Sequence, residues 1–181
     1  GGFTDVSPHR HAMASAYSRY RLVDPAAAGS EDEDREMLLY PLFFTAFLVD
    51  DFLGDHDLFG ASVLVVSSAS AKTALGIARN ARSRPGLTVV GLTSPDKVAF
   101  VEGLDLYHQV IPYGHEAELP DGPAAYVDVS GSGAVRAAVH HRFGPQLVHD
   151  MVLGATHWEG LGAPGEPLEG PEPAFFFAPT Q

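Results

Sequence analysis

The sequence predicts an α/β protein whose core is a doubly wound, mainly parallel sheet, and three observations carry that expectation. Short unbroken apolar runs such as Val63 to Val66 suit strands covered on both faces. These runs alternate with helix-like segments from Val63 to Leu153, as repeated βαβ units require. The chain has 181 residues, 45% of them hydrophobic, which suffices for one real core. The expected strand order, counted from Val63, is 3-2-1-4-5-6 with helices on both faces.

Each element has its own signal. Tyr17 to Val23 alternates as a strand does, and the "DPAAAGSEDED" that follows reads as a turn and a solvated acidic run. Arg35 to about Phe52 reads as a helix with a strongly apolar face, interrupted near its start by Pro41. After the Val63 strand, Ser70 is suited to cap a helix from Ala71 to about Ala81. Thr88 to Leu92 is the next strand. Thr93-Ser94-Pro95-Asp96 then starts a helix, with Pro95 at the first helical position and Asp96 beside the positive end of the dipole. Strands follow at His108 to Ile111 and Ala124 to Val129, separated by a proline-rich stretch near the minimum length of a crossover. Gly133 to Phe143 reads as a helix and Gln146 to Leu153 as a strand. A Pro/Gly-rich loop leads to the apolar "AFFF" at Ala174 to Phe177, an edge strand expected to pair with a second copy.

Composition narrows the function. A formal charge of −12 argues against nucleic acid, whose phosphates attract clustered Lys and Arg. An anionic ligand would need local donors, such as backbone N–H groups or a single lysine. The absence of cysteine excludes disulfides, thiolate zinc and cysteine nucleophiles. His9 and His11 sit at the start of the chain as solvated residues rather than metal ligands, and His140 and His141 face different directions on a helix. The most apolar stretch, Met37 to Val49, is too short for a membrane span and reads as a buried helix, and nothing resembles a signal peptide. No nucleic-acid or membrane partner is expected, and without a signal peptide the expected location is the cytoplasm. The start at Gly1-Gly2 suggests a piece of a longer chain.

The segment "VLVVSSASAKTALG" runs a strand into a turn and a helix, where α/β proteins bind phosphates. An ATP loop requires glycines where Val66 and Ala71 stand, so only Lys72-Thr73 match it. A dinucleotide loop requires small residues for a tight turn and close backbone approach, and Ser and Ala are next in size to glycine. The loop opens onto a helix N-terminus, which favours an anion. An ordinary strand–helix corner with a serine cap is equally compatible with these residues taken alone.

The wider sequence separates these readings. "SAYSRYRLVD", "LLYPLFFTAFLVDDFL", "ASVLVVSSASAKTALGIARNA", "TVVGLTSPDKVAFVEGLDLYHQVIPYG", "AAYVDVSGSGAVRAAVHHRF" and "QLVHDMVLGATHWEG" follow one another in that order. Together, over about 140 residues, they resemble the quinone-oxidoreductase branch of the medium-chain dehydrogenase/reductase superfamily. The glycine-free loop departs from that pattern and is most similar to a sub-family with a Ser/Ala-rich loop. The resemblance implies a Rossmann-type sheet, with residues 1–32 as the tail of a GroES-like substrate domain and 33–160 as the NAD(P)-binding domain. Residues 161–181 would be the loop and terminal edge strand. It implies zinc-free, NADPH-dependent hydride transfer to an enone, quinone or other carbonyl compound, with turnover absent from this stretch alone because most of the substrate domain is not in it. The cofactor contacts it implies are Ser67, Ser68, Ser70, Ala71, Lys72 and Thr73 in the phosphate loop, Tyr113, and Ser130 and Gly131 beside the nicotinamide ribose. No catalytic residue is identified, and Tyr17 and Tyr20 read as packing at the domain junction.

The residues after the second strand select the cofactor. NAD-binding domains end that strand in an Asp or Glu that bonds the ribose 2′-hydroxyl. Here it ends Val90-Gly91-Leu92-Thr93-Ser94, with no carboxylate before Asp96. Thr93 and Ser94 offer hydroxyls to a 2′-phosphate and Lys97 a positive charge, so NADP is expected. A non-catalytic dinucleotide-binding regulatory module and a Rossmann-like methyltransferase are the rival functions; the helix before the first strand and the Ser-Pro-x-Lys after the second favour the reductase.

Overall fold

A computed structural model describes residues 1–11, 13, 15–24, 29–153 and 168–178. Strand β1 (Gly2–Thr4) pairs antiparallel with β2 (Arg19–Arg21) in a two-stranded ribbon. The ribbon is shorter than the Tyr17 to Val23 run, because Ser15–Ser18 wind into a 3-10 turn. The main sheet comprises β3 (Val63–Val66), β4 (Thr88–Thr93), β5 (Gln109–Pro112), β6 (Ala124–Asp128), β7 (Leu147–Val152) and β8 (Ala174–Phe175). All its pairings are parallel, in the order β5-β4-β3-β6-β7-β8, which is the expected 3-2-1-4-5-6.

Both faces of the sheet are covered. Helices α1 (Glu31–Asp55) and α2 (Lys72–Ala81) lie over Leu64, Val66 and Val89; Val49, Leu53 and Ile77 fill the space between. On the other face Val139 and Phe143 of α4 (Gly133–Phe143) pack on Val65, Val90 and Tyr126. All four β3 residues are buried, so each of its two faces feeds a different core, as the unbroken apolar run implies. The chain leaves β3 toward β4 and β5, then returns through the proline-rich stretch to β6 and continues toward β7 and β8. The carboxyl ends of β3 and β6 therefore form the switch point where open α/β sheets bind ligands.

Helix α1 departs from expectation twice. It begins at Glu31 instead of Arg35, because Ser30 caps it: the Ser30 hydroxyl accepts the Glu33 N–H (3.2 Å), and the Glu33 carboxylate reaches back to accept the N–H of Gly29, one residue before the cap. The acidic residues read as a solvated run are its first turn, favourably placed at the positive end of the dipole. The stretch expected to be buried is also largely exposed at its N-terminal end. Leu38 and Tyr40 are 69% and 59% accessible, and Met37, Phe43 and Phe44 are exposed too, so the core begins only at Ala46. Apolar side chains surround this part of the helix, whereas the sheet and α2 cover only its second half. By length and composition α1 meets the requirements of a membrane span, and its C-terminal half is domain core.

Three further expectations change. Ser70 does not cap α2; Ala71 occupies the cap position with no side-chain bond, because the turn between β3 and α2 places the helix start one residue later. The helix at Pro95 is a three-residue 3-10 turn followed by the five residues of α3 (Val98–Glu102), and Ser94 makes no cap bond. The macrodipole expected there is accordingly small. Of the "AFFF" run only Ala174–Phe175 forms strand; it pairs with β7 of its own sheet, and Phe176 turns inward. Residues 154–167, with most of the Pro/Gly-rich loop, lie outside the described residues.

Candidate nucleotide-binding crevice

The loop after β3 is clasped tightly over β4. Ser68 adopts a left-handed conformation (φ 54°), a position where glycine is conformationally at home. Its N–H donates to the Tyr113 hydroxyl (2.8 Å), while the Ala69 N–H donates to the Leu92 carbonyl (2.9 Å). The Tyr107 hydroxyl donates to the Ala69 carbonyl (3.0 Å). Burial raises the Tyr107 and Tyr113 phenols above their ordinary range, so both remain neutral donors and acceptors. The loop can lie this close because Gly91 is beneath it: a Cβ there would sit 2.7 Å from the Ala69 Cβ. The clearance that lets the loop lie this close is thus supplied by the neighbouring strand.

Beyond the loop, the first intrahelical bond of α2 runs from the Leu75 N–H to the Ala71 carbonyl (2.9 Å). The N–H groups of Lys72, Thr73 and Ala74 precede it and face out of the helix end, as at any helix start. Ser68, Ser70 and Thr73 are partly accessible and Lys72 is exposed. Lys72 also borders an apolar groove of about 480 Å³ walled by Leu39, Tyr40, Phe43 and Phe44.

Ser67 has a different role from the one its position suggests. It is fully buried, and its hydroxyl donates to Asp128 Oδ1 (2.9 Å) while accepting the N–H groups of Val129 and Ser130 (3.0 Å each). One serine thereby ties the end of β3 to the loop after β6. Asp128 Oδ1 also accepts the Ser130 hydroxyl (2.8 Å) and the Gly131 N–H (2.9 Å). Asp128 Oδ2 faces Arg136 Nη2 at 2.5 Å, and the Arg136 Nε lies 3.6 Å from Asp150 Oδ2. Asp150 Oδ2 in turn meets His140 Nε2 at 2.8 Å, and His140 Nδ1 meets the Glu169 carbonyl at 2.6 Å. Asp128 and Asp150 are fully buried and His140 is 1% accessible, so a chain of four ionisable groups runs inward from the Ser130–Gly131 loop. The buried Tyr126 hydroxyl lies beside Asp128, and burial raises its phenol well above the usual range.

At the end of β4, Thr93 is buried and its carbonyl accepts the Tyr113 N–H (2.8 Å); Ser94 is partly accessible. The Asp96 carboxylate is held below its ordinary pKa first by the Ser94 hydroxyl and then by Lys97, whose ammonium is 3.1 Å away. A Ser94–Asp96–Lys97 cluster therefore forms at this strand end.

The expected residues thus fall into one region: the 67–73 loop, Tyr113 and the Ser130–Gly131 loop share hydrogen bonds, and Thr93 joins them through Tyr113. Ser67 and Thr93 serve the framework, whereas Ser68, Ser70, Lys72 and Ser130 retain access to solvent. Sequence reasoning missed Arg136, Asp150 and Tyr107. Asp150 was detectable as a charge inside the apolar run of β7, which demands a buried partner. Among the described residues no group of three or more His, Asp or Glu side chains is placed to hold a metal ion.

Comparison with known proteins finds no match among curated proteins or solved structures. One family model, described as "Protein of unknown function (DUF2855)", matches residues 1–181, the entire sequence. The doubly wound sheet and its serine-tied crevice are therefore features of a member of that family, to which this chain belongs.

Proposed function

We propose that this chain is the nucleotide-binding domain of a zinc-independent, NADPH-dependent reductase acting on an enone, quinone or other carbonyl compound. The observation that carries the reading is the switch point, where the accessible Ser68 and Ser70 and the first turn of α2 follow β3, and the Ser130–Gly131 loop, bonded to Ser67, follows the adjacent β6 to border a crevice. Such a crevice suits a pyrophosphate beside backbone donors and a ribose beside the second loop. Hydride transfer belongs to the bound cofactor; the protein's part is to orient it and exclude competitors. The apolar groove beside Lys72 has the volume of a small-molecule site and suits an apolar carbonyl compound. On this reading the ribbon of β1 and β2 is the end of a GroES-like substrate domain, the edge at β8 pairs two copies, and the chain works in the cytoplasm.

Ser94 and Lys97 support NADP, since both can reach a 2′-phosphate once Lys97 leaves Asp96. Calorimetric titration with NADP and NAD tests the assignment. NADP should bind more tightly, and Lys97→Ala should weaken NADP while leaving NAD unchanged. Equal affinities, or NADP binding indifferent to Lys97→Ala, would refute it. Tight binding of either cofactor without reduction of any quinone or enone by the full-length protein would instead favour a regulatory module.

A further inference from the structure

The four-charge chain behind the Ser130–Gly131 loop has a geometry that a static scaffold does not need. We propose that His140 and Asp150 are positioning residues whose shared proton sets how firmly Arg136 holds Asp128, and through it the Ser130–Gly131 loop.

Both ring nitrogens of His140 face acceptors, a carbonyl of Glu169 and a carboxylate of Asp150. A carbonyl only accepts, so Nδ1 carries a hydrogen; an ionised Asp150 requires a second on Nε2. In that state two carboxylates are balanced by Arg136 and an imidazolium. Burial disfavours the charged ring, but the hydrogen bonds that His140 donates to Asp150 and to the Glu169 carbonyl outweigh it and raise the His140 pKa, in keeping with that geometry.

Loss of the His140 proton leaves Arg136 alone between two buried carboxylates. Its Nε is already aimed at Asp150 at 3.6 Å without a hydrogen-bond partner, and Asp150 Oδ1 likewise has none. A shift of a few tenths of an ångström toward Asp150 makes that bond at the expense of the contact with Asp128 Oδ2. Asp128 is the shared acceptor of Ser67, Ser130 and Gly131, so its movement is passed directly to the loop. Arg136, poised between two acceptors, is the two-position element that such coupling requires.

Other titratable groups near the chain do not imitate this response. Tyr113 and Tyr126 are raised well away from neutrality. His149, next to Asp150 on β7, is shifted downward by burial and stacks on Phe59 at 3.9 Å, on the α1 side of the sheet. Its titration is therefore displaced in the opposite direction from that of His140.

The test uses the whole chain and needs no ligand in its first arm. Two-dimensional NMR across pH would follow the His140 ring and the backbone amides of Ser130 and Gly131. Those amides should shift with the His140 midpoint, and Asp150→Asn should lower that midpoint and flatten their response. Arg136→Lys, which keeps the charge but cannot span both carboxylates, should uncouple the amides while His140 still titrates. Amides that stay flat as His140 titrates in the unmodified protein would overturn the proposal. The second arm rests on the dinucleotide reading: NADP affinity should fall as His140 deprotonates, tenfold for each unit by which binding raises the His140 pKa. Absence of any dinucleotide binding at every pH would count against that reading, and the amide response would still decide the coupling.

Discussion

Gly91→Ala sets two effects of similar size against each other. In the interior of a strand, alanine is favoured over glycine by about 0.5–1 kcal/mol through backbone entropy. At residue 91 the added Cβ meets the Ala69 Cβ at 2.7 Å and two ring atoms of Tyr107 at 3.0 Å, where ordinary contact begins near 3.4 Å. Neither neighbour yields easily. Ala69 is held by its N–H to Leu92 and its carbonyl to Tyr107, and the Tyr107 ring is 6% accessible. Overpacking of this kind costs about 1–3 kcal/mol, and three close contacts with held neighbours put this site in the upper half of that range, so sterics win by about 1–2 kcal/mol. For a chain of this size that is a fall in Tm of roughly 2–8 °C. Urea and thermal unfolding monitored by circular dichroism would measure it. The double variant Gly91→Ala/Ala69→Gly removes the closest collision while leaving the Tyr107 contacts, and should recover part of the loss, with a coupling of about 1 kcal/mol. A Gly91→Ala protein as stable as the parent, or more stable, would refute the claim that the loop rests on this strand through missing side-chain volume.

Ser67→Ala should destabilise the chain by about 2–3 kcal/mol, because the Val129 and Ser130 N–H groups and Asp128 each lose a buried partner; an unchanged urea midpoint would contradict the tie between the two central strands. Leu38→Lys and Tyr40→Lys should each change stability by less than about 0.5 kcal/mol, since both side chains are mostly exposed on α1; a loss of several kcal/mol would return that segment to the core. The raised pKa of His140 contributes stability that is complete below its ordinary value of 6.5 and is lost as pH rises through the folded-state value. His149, with a lowered pKa, acts in the opposite sense, destabilising the fold as pH falls below its ordinary value of 6.5. His149→Phe should therefore leave a urea midpoint that declines more clearly with rising pH, and a profile rising through the same window would disprove the His140 assignment.

The sheet was legible because its information is local. An apolar run such as Val63–Val66 has no polar face to expose, so it must be covered on both sides, and alternation with helices then leaves few strand orders open. The position of the switch point was legible for the same reason, since it follows from strand order alone. The roles of individual side chains were not. Ser67 and Ser70 look alike in the sequence, yet one is a buried tie and the other an accessible donor, because only the register of β3 against β6 brings Asp128 to Ser67. The same holds for Arg136, Asp150 and His140, whose charges are tolerable in the interior only as a set assembled from α4 and β7. For α1, hydrophobicity predicted a buried helix, but burial depends on where the sheet ends, and the sheet ends before Phe44. Sequence alone determined what each segment prefers; the tertiary structure decided which preferences could be met together, because burial and hydrogen bonding are properties of neighbours that the chain order does not list.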